Sequence, residues 1–190
     1  MVWVLGNQLL LIFFLQKGAV VFDADDKAKQ HLLSHIDLQN SIIDTFGSPV
    51  TRGSQLDLFK LSEHVFSNKE YQDALNKIIW PEVSALINSA YKKAELDGTD
   101  LFVVDAALLL EAGYTDFFNS ILLITAPQSI RIKRIQMRKN IPDDQIEKRM
   151  ALQMPESEKQ KQAQTTIKNN GNMQELHTQL ELFWKKLNIS

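Results

Sequence analysis

The chain has 190 residues, 44% of them hydrophobic, and a formal net charge of -2 at pH 7. A chain of this length can bury one full core, so we expect one globular domain with room for insertions. The near-neutral charge excludes a global attraction to nucleic acid or acidic membranes, and any anion site must therefore be local. The absence of cysteine excludes disulfides, thiolate catalysis and cysteine-bound zinc, and agrees with a cytoplasmic protein.

The first segment, residues 2–15, is almost wholly apolar. A secretory signal carries basic residues before its apolar core and small residues after it. Here only Met1 precedes the run, and Gln16 and Lys17 follow it. The run is also shorter than the ~20 apolar residues that a membrane-spanning helix needs. We therefore expect neither export nor a membrane partner.

Three later apolar runs are typical of buried strands. They span residues 19–22, 101–104 and 121–124. Unbroken apolar strands imply burial on both faces, which predicts an α/β fold with a parallel sheet flanked by helices. The first run ends at Asp23 and is followed by Asp25, and the second ends at Asp105. The carboxyl ends of parallel strands are where such sheets bind ligands.

Helical apolar spacing fills most of the remaining chain. It runs over residues 38–96, which is far longer than a plain crossover needs and predicts an inserted helical subdomain. A weak strand near residues 165–167, a turn at Asn169-Asn170-Gly171 and an amphipathic helix through Leu187 end the chain.

Pro127 begins a basic helix that carries Arg134 and Arg138, and a second helix from residue 143 to about residue 154 carries Arg149. Most basic helices are solvated faces, and that interpretation stays open here. A basic hairpin at the carboxyl edge of a parallel sheet can also close over a polyphosphate.

Among the four histidines, only His31 and His35 have a spacing that could bind a metal. Zinc helices place a glutamate between two such histidines, in a His-Glu-x-x-His pattern, and this chain does not. We interpret the pair as a solvated helix face and expect no resident metal ion.

Taken in order, these segments resemble the dephospho-CoA kinase family, P-loop kinases that complete coenzyme A biosynthesis. The matching pieces are Gly18-Ala19-Val20-Val21-Phe22-Asp23-Ala24-Asp25, Phe46-Gly47, Leu56-Asp57 leading to Val65-Phe66, Leu75-Asn76-Lys77-Ile78, Val104-Asp105-Ala106-Ala107-Leu108-Leu109-Leu110-Glu111, Arg134, Arg138, and Arg149-Met150-Ala151-Leu152-Gln153-Met154-Pro155. The resemblance runs from about Lys17 to Leu187, nearly the whole chain.

The sequence departs from the family pattern at several positions. Trp80 replaces the histidine of a His-Pro pair, Leu58 an arginine, Ala107 the proline of a Pro-Leu-Leu-Phe-Glu-type motif, and Gln164 an acid. The largest departure is the P-loop, whose Gly-Lys-Ser-Thr falls on Gly6-Asn7-Gln8-Leu9. Neutral amides supply neither the lysine charge for the β- and γ-phosphates nor the hydroxyl that helps to hold magnesium.

A frameshift explains this departure. If the codon boundary is moved two bases downstream, residues 1–9 force two glycine codons and permit Gly-Val-Gly-Ile-Gly-Lys-Ser-Thr. The frame returns within residues 12–14, whose codons contain a thymine run. The hypothesis is that the gene encodes, or recently encoded, an intact P-loop, and a true degenerate loop is the alternative.

The resemblance implies transfer of the ATP γ-phosphate, with Mg2+ in the substrate complex, to the 3′-hydroxyl of dephospho-CoA. It implies Asp25 as the base or hydroxyl-orienting group, with Asp23 as a link to the metal. A solvated turn is the alternative for this pair. The residues implied to contact ATP are Arg134, Arg138, Arg149, Asn170, Gly171 and the degenerate P-loop position Gly6.

The implied division is a nucleotide-binding core over residues 1–30, 99–128 and 163–190, a helical substrate-binding insertion over 31–98 and a lid over 129–162. Two rival functions stay open. One is a kinase of another small metabolite or nucleoside, and the other is a non-catalytic remnant of the P-loop fold that binds coenzyme A-like ligands. The oligomeric state is not predicted.

Overall fold

The structure is a computed structural model that describes residues 2–4, 8–138 and 143–187. Its centre is a five-stranded parallel sheet in the order β2-β5-β1-β6-β7. The strands are β1 (Val2–Val4), β2 (Val20–Asp23), β5 (Phe102–Asp105), β6 (Ser120–Thr125) and β7 (Thr165–Lys168). The α/β fold and the parallel sheet predicted from the apolar runs are confirmed.

The apolar N-terminal segment is part of the protein core. Strand β1 pairs with β5 on one side and with β6 on the other, at the centre of the sheet. Helix α1 (Gln8–Gln16) follows, and it buries Leu10, Phe13 and Phe14. It ends where Gly18 adopts a positive φ of 84°, which lets the chain turn back into β2. Among the described residues, no helix is long and apolar enough to cross a membrane.

The two faces of the sheet are covered by different helices. Val103 and Leu122 pack toward α1 and the last helix, α9 (Met173–Lys186). Their chain neighbours Phe102, Val104 and Ile121 pack toward the opposite face, because successive strand side chains alternate. That face is covered by α2 (Ala24–Ser34) and by the long helix α5 (Lys69–Leu96).

Residues 35–68 form a separate small core between α2 and α5. Helix α3 (Ile36–Phe46) and helix α4 (Leu58–Val65) bury Ile42, Leu61 and Val65 together with Leu32 and Val50.

The prediction of continuous helical spacing from residue 38 to residue 96 is wrong between these two helices. Gly47 ends α3 with a φ of 70°, a short 3-10 turn (Ser48–Val50) follows, and strands β3 (Thr51–Arg52) and β4 (Gln55–Leu56) form a hairpin. A positive φ is unfavourable for residues with a Cβ atom, so the glycine stops the helix where apolar spacing alone does not.

After β6, the chain forms three helices before it returns to the sheet. They are α6 (Gln128–Arg138), α7 (Asp143–Ala151) and α8 (Glu156–Gln162). The first two match the predicted basic hairpin. The third was not predicted, because its seven residues contain no apolar side chain to give a helical period.

Candidate active site

The first candidate site residues meet at the carboxyl edge of the sheet. The strand register aligns Val4 with Asp105, and Asp105 with Asp23 on the next strand. Two carboxylate residues therefore lie at the level where the chain leaves the central strand. Gly6, the predicted remnant of the phosphate loop, lies outside the described residues.

Asp23 has a definite structural role at this edge. It is the N-cap of α2, and its Oδ1 accepts a hydrogen bond of 2.9 Å from the backbone N–H of Asp26. Such a cap satisfies one of the free N–H groups of the first helical turn. The bond uses one carboxylate oxygen and fixes the direction of the side chain.

Asp25 lies in the first turn of α2 and faces the segment after β5. Its Oδ2 accepts a hydrogen bond of 3.4 Å from the backbone N–H of Ala107. The carboxyl keeps contact with solvent, yet the surrounding protein raises its pKa above the ordinary value. The Ala107 N–H lowers the pKa and the negative charge of Asp23 raises it, but burial has the largest effect. A carboxylate with a raised pKa is better suited to accept a proton near neutral pH.

The segment that carries Ala107 also contains a buried ion pair. Glu111 Oε1 lies 2.7 Å from Nζ of Lys159 in α8, with exposed side-chain fractions of 2% and 5%. The same oxygen accepts a bond of 3.1 Å from the backbone N–H of Met154. Glu111 therefore ties the segment after β5 to the segment between α7 and α8.

A cleft of about 570 Å³ adjoins this segment. One wall is α5, and the other is the chain from Glu111 to Tyr114. The ring of Trp80 stacks on that of Tyr114, with centroids 5.2 Å apart and planes at 21°. The cleft is lined by Lys69, Asp73, Asn76, Lys77, Trp80, Glu111, Ala112 and Tyr114. It combines an aromatic wall with charged side chains of both signs, and Lys69 is paired with Asp73 at 2.7 Å.

The predicted ATP-binding arginines lie on the helices after β6. The guanidinium of Arg134 donates a hydrogen bond of 3.2 Å to Oδ1 of Asn169, which brings α6 to the end of β7. Arg138 is the last residue of α6 and Arg149 lies in α7. The side chains of these two arginines lie outside the described part of the chain.

Asn170 and Gly171 are exposed in the loop between β7 and α9. A Cβ atom at Gly171 would collide with the carboxylate of Glu175, so a side chain is not tolerated without movement of that group. Asn169 was not predicted as a site residue, although it is the residue that contacts Arg134. It is buried, and its N–H donates a bond of 2.7 Å to the carbonyl of Thr125.

Lys17 does not replace the missing P-loop lysine. It follows α1 at the carboxyl end, and nine helical residues span roughly 13 Å. Its Nζ lies 2.9 Å from Glu181 in α9, on the far side from the expected phosphates.

At two positions where the sequence departs from the family pattern, the residue that is present has a defined structural role. The side-chain oxygen of Gln164 accepts a bond of 2.6 Å from the N–H of Ile121, an acceptor role that a carboxylate would also fill. Leu58 is the first residue of α4 and packs against the small core of residues 35–68.

Comparison with known proteins gives a consistent result. The family model described as dephospho-CoA kinase matches residues 5–175. The dephospho-CoA kinase of Fusobacterium nucleatum is 34% identical over 180 residues, which is 94% of this chain and 91% of the relative. That of Chlamydia pneumoniae is 30% identical over 175 residues, or 92% and 87% of the two chains.

Solved structures agree with the sequence comparison. A crystal structure of a Thermus thermophilus protein superposes with a TM-score of 0.78 at 26% identity, covering 99% of this chain and 97% of the other. The dephospho-CoA kinase of Campylobacter jejuni superposes with a TM-score of 0.61 at 22% identity, over 97% and 96% of the chains, and supports the fold alone.

Proposed function

The chain belongs to the dephospho-CoA kinase family, and on that premise we propose how its residues share the work of an ATP-dependent kinase that completes coenzyme A synthesis. The reaction joins the 3′-hydroxyl oxygen of dephospho-CoA to the γ-phosphorus of ATP. The bond from that phosphorus to the bridging oxygen of ADP breaks, and the hydroxyl proton must be removed. Positioning and charge stabilisation supply most of the catalysis in such transfers.

The position of Asp25 is the observation that supports this assignment best. It lies two residues beyond the carboxyl end of β2, accepts a hydrogen bond from the Ala107 N–H, and has a pKa that the protein packed around it raises above the ordinary value, although the residue is exposed. We assign Asp25 to orient the acceptor hydroxyl and accept its proton. Asp23, already fixed as a helix cap, is the last residue of β2.

The acceptor is assigned to the cleft between α5 and residues 111–114. The same short segment that bonds Asp25 through Ala107 lines this cleft through Glu111 and Tyr114. An acceptor in the cleft would lie against the Trp80–Tyr114 stack, near the ammonium group of Lys77 in α5. Residues 31–98 would thus form a substrate-binding insertion, and residues 129–162 a lid.

We assign ATP to the side of the carboxyl edge that is opposite the acceptor cleft. Arg134 lies beside the loop that contains Asn170 and Gly171, so a triphosphate and an adenine could be held from neighbouring elements. Arg138 lies on α6, as Arg134 does, and Arg149 lies on the next helix, α7. Both arginines would add positive charge around the triphosphate as the lid closes.

Mg2+ would enter as part of the ATP complex. Asp23 and Asp105 fit this ion, because carboxylate oxygens at aligned strand ends can bond its bound waters. When bound, the ion neutralises phosphate charge, and the protein residues position the two substrates.

We expect the altered P-loop to limit the catalytic activity of this chain. Asn7 and Gln8 provide no cation for the phosphates, and Lys17 is held by Glu181. We therefore expect little turnover by the chain as written, which keeps a non-catalytic remnant as the second candidate. Resequencing of the first codons tests the frameshift hypothesis, which fails if an independent read shows no inserted or lost base.

The function is tested by incubating the variant Asn7→Lys/Gln8→Ser/Leu9→Thr, beside the unaltered chain, with ATP, Mg2+ and dephospho-CoA and identifying the product by mass and by the position of the new phosphate. Nucleosides are the matched alternative acceptors. A 3′-phosphorylated product that forms from dephospho-CoA and not from the nucleosides supports the assignment. Preferential phosphorylation of a nucleoside would support a different small-metabolite kinase.

A further inference from the structure

The segment over residues 106–112 has a polar attachment at each end. Near its start, the Ala107 N–H donates to Oδ2 of Asp25 at 3.4 Å. Near its end, Glu111 Oε1 bonds Nζ of Lys159 at 2.7 Å and the N–H of Met154 at 3.1 Å. We propose that the Glu111–Lys159 pair is a positioning device, which fixes this segment so that the Ala107 N–H holds the carboxylate of Asp25.

The segment is held in place along its length. Its backbone is bonded internally, from the N–H of Ala112 to the carbonyl of Leu108 at 3.0 Å and from that of Gly113 to that of Leu110 at 3.2 Å. Leu109 and Leu110 are buried, so their side chains anchor the middle of the segment in the core. The Glu111 attachment and these buried side chains together fix the course of the segment, whose Ala107 lies four residues before Glu111.

The chemistry of the pair favours a positioning role over a stabilising one. Removing two charges from water costs several kcal/mol, and an apolar pair of similar volume often gives equal or greater stability. The pair is also incompletely satisfied, because Glu111 Oε2 is buried without a hydrogen-bond partner. The ion pair fixes the direction of the Glu111 side chain, because its carboxylate must align with both Lys159 and the Met154 N–H.

The pair also relates the acceptor side of the site to the root of the proposed lid. Lys159 lies in α8 and Met154 in the connection that follows α7. The proposal rests on the role assigned to Asp25, because only that role gives the held carboxylate a function.

The test is an amide spectrum of the 15N-labelled protein, which requires no turnover. The Ala107 resonance is assigned by triple-resonance experiments on a sample that also carries 13C, and Asp25→Ala, which removes the acceptor, gives its position without the hydrogen bond. Lys159→Met alone would leave a buried carboxylate unpaired, so the informative variant is Glu111→Met/Lys159→Met, which buries no charge and should fold. The matched control is Lys161→Met, which breaks an exposed ion pair with Glu158 in the same helix.

We expect the double variant to move the Ala107 resonance most of the way to its position in Asp25→Ala, and the control to leave it unchanged. The amide of Val20, which bonds the carbonyl of Leu101 in the sheet, reports the global fold and should stay in place. An Ala107 resonance unchanged in the folded double variant overturns the proposal, and so does an equal shift in the control. Neither result touches the kinase assignment, which is tested separately by phosphate transfer.

Discussion

Two lysines of α8 provide a matched test of how burial determines the energy of an ion pair. Nζ of Lys159 lies 2.7 Å from Glu111, and Nζ of Lys161 lies 2.7 Å from Glu158. The first pair is 5% and 2% exposed, whereas the second is 70% and 49% exposed. The separation is the same, so the difference between the two pairs comes from their surroundings.

Removal of one partner should therefore have unequal effects. Lys159→Met leaves the Glu111 carboxylate buried without its cation, which costs about 3–5 kcal/mol of unfolding free energy. Lys161→Met removes a solvated pair and should cost about 1 kcal/mol or less. Because domains are stable by only about 5–15 kcal/mol, the first loss is a large share of the total.

The double variant Glu111→Met/Lys159→Met separates the charge from the packing. It buries no unpaired ion, so we expect it to recover most of the stability that Lys159→Met loses. Urea unfolding followed by circular dichroism and by tryptophan fluorescence measures all three variants against the parent. Equal losses in Lys159→Met and Lys161→Met would refute the reasoning, as would a double variant no more stable than Lys159→Met alone.

Three further predictions concern the core, a helix cap and the proposed lid. Phe14→Ala removes a fully buried ring and should lower the free energy of unfolding by about 3–5 kcal/mol. Ile12→Ala, at a half-exposed position of the same helix, should lower it far less, and the midpoints of urea unfolding compare the two variants. Asp57 caps α4, and hydrogen bonding from backbone N–H groups lowers its pKa, so its stabilisation is present above its unfolded pKa and disappears as the pH falls through the folded value. Asp57→Ala should therefore be less stable than the parent at about pH 7, and this deficit should shrink as the pH falls through the folded pKa of Asp57; a deficit that does not change with pH would contradict this. Arg134→Met should weaken ATP binding in calorimetry, with Lys133→Met on the same helix as the exposed control, and equal affinities would remove Arg134 from the site.

The strands could be predicted from sequence because they are short, apolar and buried on both faces. The apolar runs that end at Asp23 and Asp105 predict a parallel sheet and the edge that carries the candidate site, because parallel strands place their carboxyl ends together. The N-terminal strand was harder to predict. Within the described residues three form it, and its pairing with β5 and β6 gives its central place in the sheet.

The hairpin at residues 51–56 could not be predicted from apolar spacing. Leu56 fits a helical period with the apolar residues of α4, yet it lies in β4. The deciding residues are Gly47 and Gly53, both with positive φ, and their conformation is a backbone property that periodicity does not report.

Parts of the candidate site also leave no sequence signal. The partner of Asp25 is a backbone N–H, which position 107 provides because alanine stands there in place of the family's proline, but nothing in the sequence indicates that this N–H meets Asp25. Glu111 and Lys159 are 48 positions apart in the printed sequence, and only the fold brings them together. The contact between Arg134 and Asn169 depends on the fold in the same way.

The most direct test of the functional account restores the phosphate loop. The triple variant Asn7→Lys/Gln8→Ser/Leu9→Thr is compared with the chain as written, using ATP, Mg2+ and dephospho-CoA and measuring ADP and coenzyme A together. We expect equal amounts of both products from the triple variant and little turnover from the parent, because the restored lysine and hydroxyl groups supply the missing phosphate and metal contacts. A folded triple variant that transfers no phosphate to dephospho-CoA would contradict the account, and rapid turnover by the unaltered chain would contradict its explanation of the P-loop.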